Sequence, residues 1–188
     1  MSLLTLLAPP AAEPLDLATA KVWARVDGTG LDPILPMMIS AARQHAEQET
    51  GAKLITQTWR QELDDWPAST DRVALFPVQS ITATYWNGST WAAVPFGTIK
   101  TVRSGFAVTL RSTVGYFPAL TAYIGPRIRV DYVVGYGDVA TAVPEAIRSF
   151  MAAHIALWIR NPEGATERYP LFKNPFLDGL LDPFRTFL

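Results

Sequence analysis

The hydrophobic period of this chain changes twice, and that order constrains the fold more than any other feature. Helical spacing governs the stretch from Leu15 to Thr50. From Leu54 to Val134 the chain is rich in Thr, Val, Ile, Tyr and Trp, with turn residues at short intervals. Helical spacing returns after Gly135-Tyr136-Gly137-Asp138. A long β-type block between two helical blocks predicts that the helices pack together while the strands form a lobe inserted between them. The expected class is α+β: a helical core of about four helices carrying an inserted, small antiparallel β lobe. The expected division is 1–53 for the N-terminal helices, 54–138 for the β lobe, and 139–188 for the C-terminal helix and tail.

The first helix is read over Leu15–Val26, with Asp16 as N-cap and an apolar stripe of Leu17, Ala20 and Ala24 beside Trp23. Asp27-Gly28-Thr29-Gly30 ends it as a turn. A second helix runs from about Asp32 to Thr50, with Gly51 as its C′ residue. Pro33 suits a first turn, whereas Pro36 delays the regular helix until close to itself. Strands are expected at Ile55–Leu63, Arg72–Leu75, Ile81–Trp86, Thr90–Val94, Ala107–Leu110 and Arg127–Val134. Asn87-Gly88 predicts a hairpin through a type I′ turn. Behind Pro144, the residues Ile147, Phe150, Met151, His154, Ile155 and Trp158 make one broad apolar helical face. Asn174-Pro175 opens a last short helix that Pro183 must end or bend.

Catalytic chemistry is hard to find. The 188 residues include no cysteine, which removes disulfides, thiolate metal sites and thiol nucleophiles. The two histidines, His45 and His154, lie on the apolar faces of their helices, where a core or interface role outweighs ligation. Gly135-Tyr136-Gly137 lacks the third glycine of a dinucleotide loop and reads as a strand-ending turn. Asp64-Asp65 and the Asp131/Asp138 pair sit among turn residues and read as solvated carboxylates. No serine occupies a Gly-x-Ser-x-Gly elbow. The expectation is therefore no enzyme, no cofactor and no metal. Nothing approaches the roughly 20 apolar residues of a bilayer span, and Met1–Pro14 lacks the basic start of a signal peptide. A soluble product made inside the cell is expected.

Charge is uneven although the net is −1. Residues 1–70 hold five Lys/Arg against nine Asp/Glu; residues 71–141 hold six against three. Such asymmetry fits assembly of unlike surfaces as well as it fits chance scatter. The basic residues of the β block are Arg72, Lys100, Arg103, Arg111, Arg127 and Arg129, a solvated face on a monomer and a candidate contact for phosphates or an acidic neighbour in a ring. The tail crowds Phe172, Phe176, Phe184, Phe187 and Leu188 into 17 residues. Large aromatics at a chain end imply packing back on the domain or insertion into a partner.

Three ordered stretches resemble one family, the head–tail connector proteins of tailed phages. The opening Leu15-Asp16-Leu17-Ala18-Thr19-Ala20-Lys21 through Arg25-Val26-Asp27 is similar to that family's start. Leu31 to Thr50-Gly51, followed by Leu54-Ile55-Thr56-Gln57-Thr58-Trp59, resembles its long helix and junction into the β insert. Val130–Trp158 matches a strand ending Gly-Tyr-Gly-Asp, then Val-Pro-Glu-Ala-Ile and a helix closing on Trp. Ala24 stands where the family usually has a larger aliphatic, and the C-terminal segment matches only loosely.

The resemblance implies an adaptor in the virion neck of a phage or gene transfer particle, assembled in the bacterial cytoplasm as a homo-oligomeric ring, typically of twelve subunits. Its implied partners are the portal above, a stopper or tail-terminator protein below, and DNA passing through the lumen without sequence-specific contacts; no membrane is involved. It favours insertion for the tail, making Phe172, Phe176, Phe184, Arg185, Phe187 and Leu188 the expected portal or partner interface. Arg103, Arg111, Arg127 and Arg129 are the expected basic residues facing the channel or a neighbour. The competing expectation is a ligand-binding β module using exposed Trp86 and Trp91. A small hydrolase with scattered carboxylates is a third.

Overall fold

The computed structural model describes residues 3–68, 70–104, 107–161 and 179–185. The chain divides into two compact units, each assembled from separated stretches of sequence. One comprises Met1–Ala11 with Thr56–Tyr136, the other Ala12–Ile55 with Gly137–Leu188.

The helical unit holds α1 (Leu17–Ala24), α2 (Leu35–Thr50) and α3 (Glu145–Arg160). Asp16 caps α1 by accepting from the Thr19 N–H at 2.6 Å. Arg25, in the left-handed region at φ 55°, closes it with its own N–H on the Lys21 and Val22 carbonyls. Pro36 occupies the first turn of α2, where its missing N–H has no intrahelical partner to lose. The helix ends on Gly51 at φ 69°. Thr50 seals that end, its hydroxyl donating to Ala46 O and accepting from Ala52 N. α3 packs against both α1 and α2. Its buried stripe of Ile147, Phe150, Met151, Ala152 and Ile155 belongs to a unit in which Ala20, Leu35, Ala42 and Ala46 have no exposed surface. The alanines let backbones approach closely, and each large apolar side chain contributes roughly 1.5–3 kcal/mol by leaving water.

A buried charged cluster ties this unit together. Arg43 donates to Glu13 at 2.8 Å and lies 3.5 Å from Glu47, both Arg43 and Glu47 being nearly inaccessible. Glu47 also accepts from the Leu54 N–H at 3.0 Å and pairs with Lys53. One carboxylate thereby anchors the turn that leaves α2.

The strand unit contains β1 (Leu3–Ala8), β2 (Gln57–Leu63), β3 (Val78–Trp86), β4 (Trp91–Ala93), β5 (Ile99–Ser104), β6 (Ala107–Ser112) and β7 (Ile128–Val134). Five of them form one antiparallel sheet in the order β1-β2-β7-β3-β4, while β5 and β6 make a separate hairpin. β7 is central, and its Ile128, Val130, Tyr132 and Val134 are fully buried. They share one core with Leu63, Leu75, Ala83, Val94 and with Val108 and Leu110 of β6. The buried Tyr132 hydroxyl donates to Gln61 Oε1 at 2.9 Å, and burial pushes its pKa up strongly. The opposite face of β2 and β7 carries two directly opposed ion pairs, Arg60–Asp131 with two hydrogen bonds of 2.7 and 2.8 Å and Arg129–Glu62 at 3.0 Å.

The expected class needs correction. Instead of about four helices with a small β lobe, the described residues build three α-helices and seven strands in two antiparallel sheets, with strand content comparable to helix content. Two strands account for much of the difference. β1 is Leu-Leu-Thr-Leu-Leu-Ala, which has no apolar–polar alternation, and β5 is Ile-Lys-Thr-Val-Arg-Ser, which has charges in its run. Each is held by backbone pairing to a neighbour, and no local period announces it. In the tail, the described residues show a 3-10 turn at Asp182–Phe184, with Pro183 inside it. The helix expected from Asn174 lies outside the described residues.

Smaller differences follow the same logic. The strand expected at Arg72–Leu75 reduces to a single bridge, Val73 with Val108. The Asn87-Gly88 hairpin forms, joining β3 and β4 through the Trp86–Trp91 pair, but only Gly88 takes a positive φ. Asn87 instead accepts from the Ser89 and Thr90 N–H groups with its side chain, and this closes a four-residue loop rather than a type I′ turn.

Candidate functional site

No cluster resembling an active centre emerges from the described residues, and none of their His, Asp and Glu side chains gather in threes to hold a metal ion. His45 and His154 do meet, with ring centroids 5.0 Å apart where α2 packs on α3. Phe150 lies against both, at 5.6 and 4.1 Å, and Trp158 stands 6.0 Å from His154. The pair is thus part of an aromatic seam in which the Nδ1 of His154 lies 3.1 Å from the Phe150 carbonyl. No helix among the described residues is long and apolar enough to cross a membrane.

The strand unit has one cleft of about 240 Å³, lined by Gln61, Leu63, Pro67, Asp71, Arg72, Val73, Leu110 and Tyr132. Its polar floor is the Tyr132–Gln61 hydrogen bond already described. The aromatic pair Trp86 and Trp91 does not frame an open groove. Their rings pack on Tyr123 at 4.7 and 6.0 Å, and the Arg129 guanidinium covers Trp91 at 4.1 Å. A ligand stacking on these indoles must first displace a side chain of the protein.

The four arginines expected to face a channel or neighbour are spread over three strands and one loop. Arg103 on β5 stacks over the Phe76 ring at 3.9 Å, and its charge partly offsets the rise that burial gives the Tyr136 phenol. Arg127 donates to the Asp64 carbonyl at 2.6 Å. Arg129 combines the Glu62 pair with its cover of Trp91. Arg111 on β6 is exposed and sits directly opposite Lys100 of β5. Like charges facing each other across a hairpin repel. The proximity of the pair depends on strand register, which the expected site residues, chosen from the sequence, did not include.

Of the six tail residues, Phe184 and Arg185 are described. Phe184 is half-buried in the 3-10 turn, while Arg185 pairs with Glu49 near the end of α2 and with Asp182. Leu181 beside them is fully buried. Phe172, Phe176, Phe187 and Leu188 lie outside the described residues.

Apolar surface is the other conspicuous feature. In the strand unit Phe96 and Ile124 are fully exposed, and Leu4, Leu6 and Leu7 of β1 are 38, 40 and 44% exposed. In the helical unit Val22, Trp23, Ile34 and Met37 project outward.

No family model matches the sequence, and no curated protein matches it. Solved structures do. A chain from the neck of an empty gene transfer agent particle, computed with C6 symmetry, aligns with a TM-score of 0.79 at 17% identity, covering 99% of this chain and 96% of that one. A chain of the native gene transfer agent virion aligns at 0.77 and 18% identity with the same coverage. A third, from the native neck computed with C12 symmetry, aligns at 0.66 and 19%, covering 98% and 96%. At these identities the likeness establishes a shared fold, end to end. Two of these neighbours come from the neck of a gene transfer agent particle and one from its virion, consistent with the head–tail connector resemblance of the sequence.

Proposed function

We propose that this chain is a structural component of the neck of a tailed-phage-like particle, acting as a head–tail adaptor. Twelve copies form a ring beneath the portal, offer their lower surface to a stopper or tail-terminator protein, and leave a channel through which DNA passes. The observation that carries this reading is the end-to-end fold match with neck chains from particles computed with C6 and C12 symmetry. Each contact need contribute little, because linkage within a ring multiplies its effect. The mechanism is geometric and has no catalytic step.

The portal contact is assigned to the tail, with Phe172, Phe176, Phe184, Arg185, Phe187 and Leu188 as its residues. Arg103, Arg111, Arg127 and Arg129 face the lumen or the adjacent subunit. Deleting residues 172–188 is expected to leave a chain with native circular dichroism that no longer pulls down portal. Normal portal binding by the truncated chain would overturn the tail assignment. Native mass measurement and electron microscopy of particles test the neck reading itself: rings and neck density are expected, and a persistent monomer absent from particles sinks it.

A further inference from the structure

Among the described residues the five-stranded sheet ends in two edge strands, β1 and β4. An outer strand presents a row of unpaired N–H and C=O groups, and soluble proteins usually blunt it with charge. Here the charges stand inboard, and the edges are shaped instead by a register shift between Leu6 and Ala8 of β1 and by the three-residue length of β4. The ionic pairs Arg60–Asp131 and Arg129–Glu62 lie on the inner strands β2 and β7. Neither edge strand carries a charge of its own, although Arg129 of β7 reaches over Trp91: residues 1–12 contain no charged side chain, and neither do residues 73–99, a run of 27 that includes β3 and β4.

The side chains at the two edges differ in a complementary way. Leu4 and Leu6 pair with Gln61 and Trp59, which places them on the core face of the sheet, yet each remains about two-fifths exposed. Leu7 is similarly open. At the other edge, Ala92 pairs with Tyr85, which in turn pairs with the buried Ile128, so Ala92 shares the same face. Ala92 is small, so the backbone of β4 is accessible on this face, whereas Trp91 and Ala93 lie on the other. Phe96, just beyond β4, is fully exposed, as is Ile124, which follows the Tyr123 packed on Trp91. On the core face one edge thus offers large apolar side chains, and the other the single small side chain of Ala92 with apolar residues beyond it.

We propose that β1 of one copy adds to the β4 edge of the next, carrying the sheet across the boundary between copies. This rests on the ring reading above. A contact between two different edges of the same molecule is heterologous, and such contacts generate rings when the rotation closes. Backbone hydrogen bonds would supply the register, and the Leu4 and Leu6 side chains over Ala92 would supply the buried apolar area.

The absence of native cysteine gives a clean test. The full-length chain carrying Leu6→Cys and Ala92→Cys is assembled, treated with a short bis-maleimide that tolerates a small register error, and run on a denaturing gel. The expected result is a ladder of dimers, trimers and higher species, with neither single variant cross-linking. Dimers from Leu6→Cys alone would mean two-fold β1–β1 pairing and overturn the proposal. Rings that form without cross-links would overturn it and leave the neck reading intact, whereas absence of any oligomer would sink both. In parallel, Leu4→Lys with Leu6→Lys alters only part-exposed positions. It is expected to preserve the monomer's circular dichroism while shifting assembly at least tenfold in concentration; unchanged assembly would count against the β1 edge.

Discussion

Single positions carry several constraints that can be measured directly. A Cβ on Gly137 would stand 2.7 Å from the Ala142 Cβ, closer than two carbons can sit. Gly137→Ala therefore forces the turn before α3 to move, and a loss of about 1–3 kcal/mol is expected in urea unfolding, typical of overpacking. Gly135, two residues earlier, holds φ 132°, so the Gly-Tyr-Gly spacing answers two separate needs, open backbone at one glycine and close approach at the other. At the start of α1, accepting the Thr19 N–H holds the Asp16 carboxyl below the usual aspartate range. The cap's contribution is complete above the unfolded value and disappears as pH falls through the lower folded value. Asp16→Ala is expected to cost about 1 kcal/mol at neutral pH and almost nothing well below that window, as read by denaturation at several pH values.

At the scale of elements, the β5–β6 hairpin makes the clearest prediction. Lys100 opposes Arg111 across the pair, so Lys100→Glu converts repulsion into attraction. Thermal unfolding of the isolated chain should improve by roughly 0.5 kcal/mol. Elements whose side chains alternate or recur helically were legible in the sequence: α1, α2, α3, β2, β3, β4, β6 and β7 fall where their periods place them, with ends shifted by a few residues. β1 and β5 were not, because a strand gripped by its neighbour's backbone need not show any pattern of its own. The surroundings of the basic residues were only partly legible. Arg127 and Arg129 were chosen by type, but their partners Asp64 and Glu62 are more than 60 residues away, and only pairing of β2 with β7 brings them together. The tail's aromatic crowding was visible at once, whereas the Arg185–Glu49 tie across 136 residues was not.

The whole molecule returns to the order of strands in the large sheet. β7 is the last of the described strands and lies in the middle, with β1-β2 on one side and β3-β4 on the other. The sheet therefore waits for its keystone while the ribosome works. At about 5–20 residues per second, the uncharged run 73–99 emerges several seconds before Ile128–Val134 can pair with it. Nascent chains stalled before residue 128 should leave β2 and β3 sensitive to protease, and chains stalled far enough past 134 to clear the exit tunnel should protect both together. Equal protection at the two lengths would refute that order of events. Such a late keystone makes the timing of synthesis a determinant of yield: slow codons downstream of β4 should send chains into aggregates, and trigger-factor-like holdases should matter most during that interval.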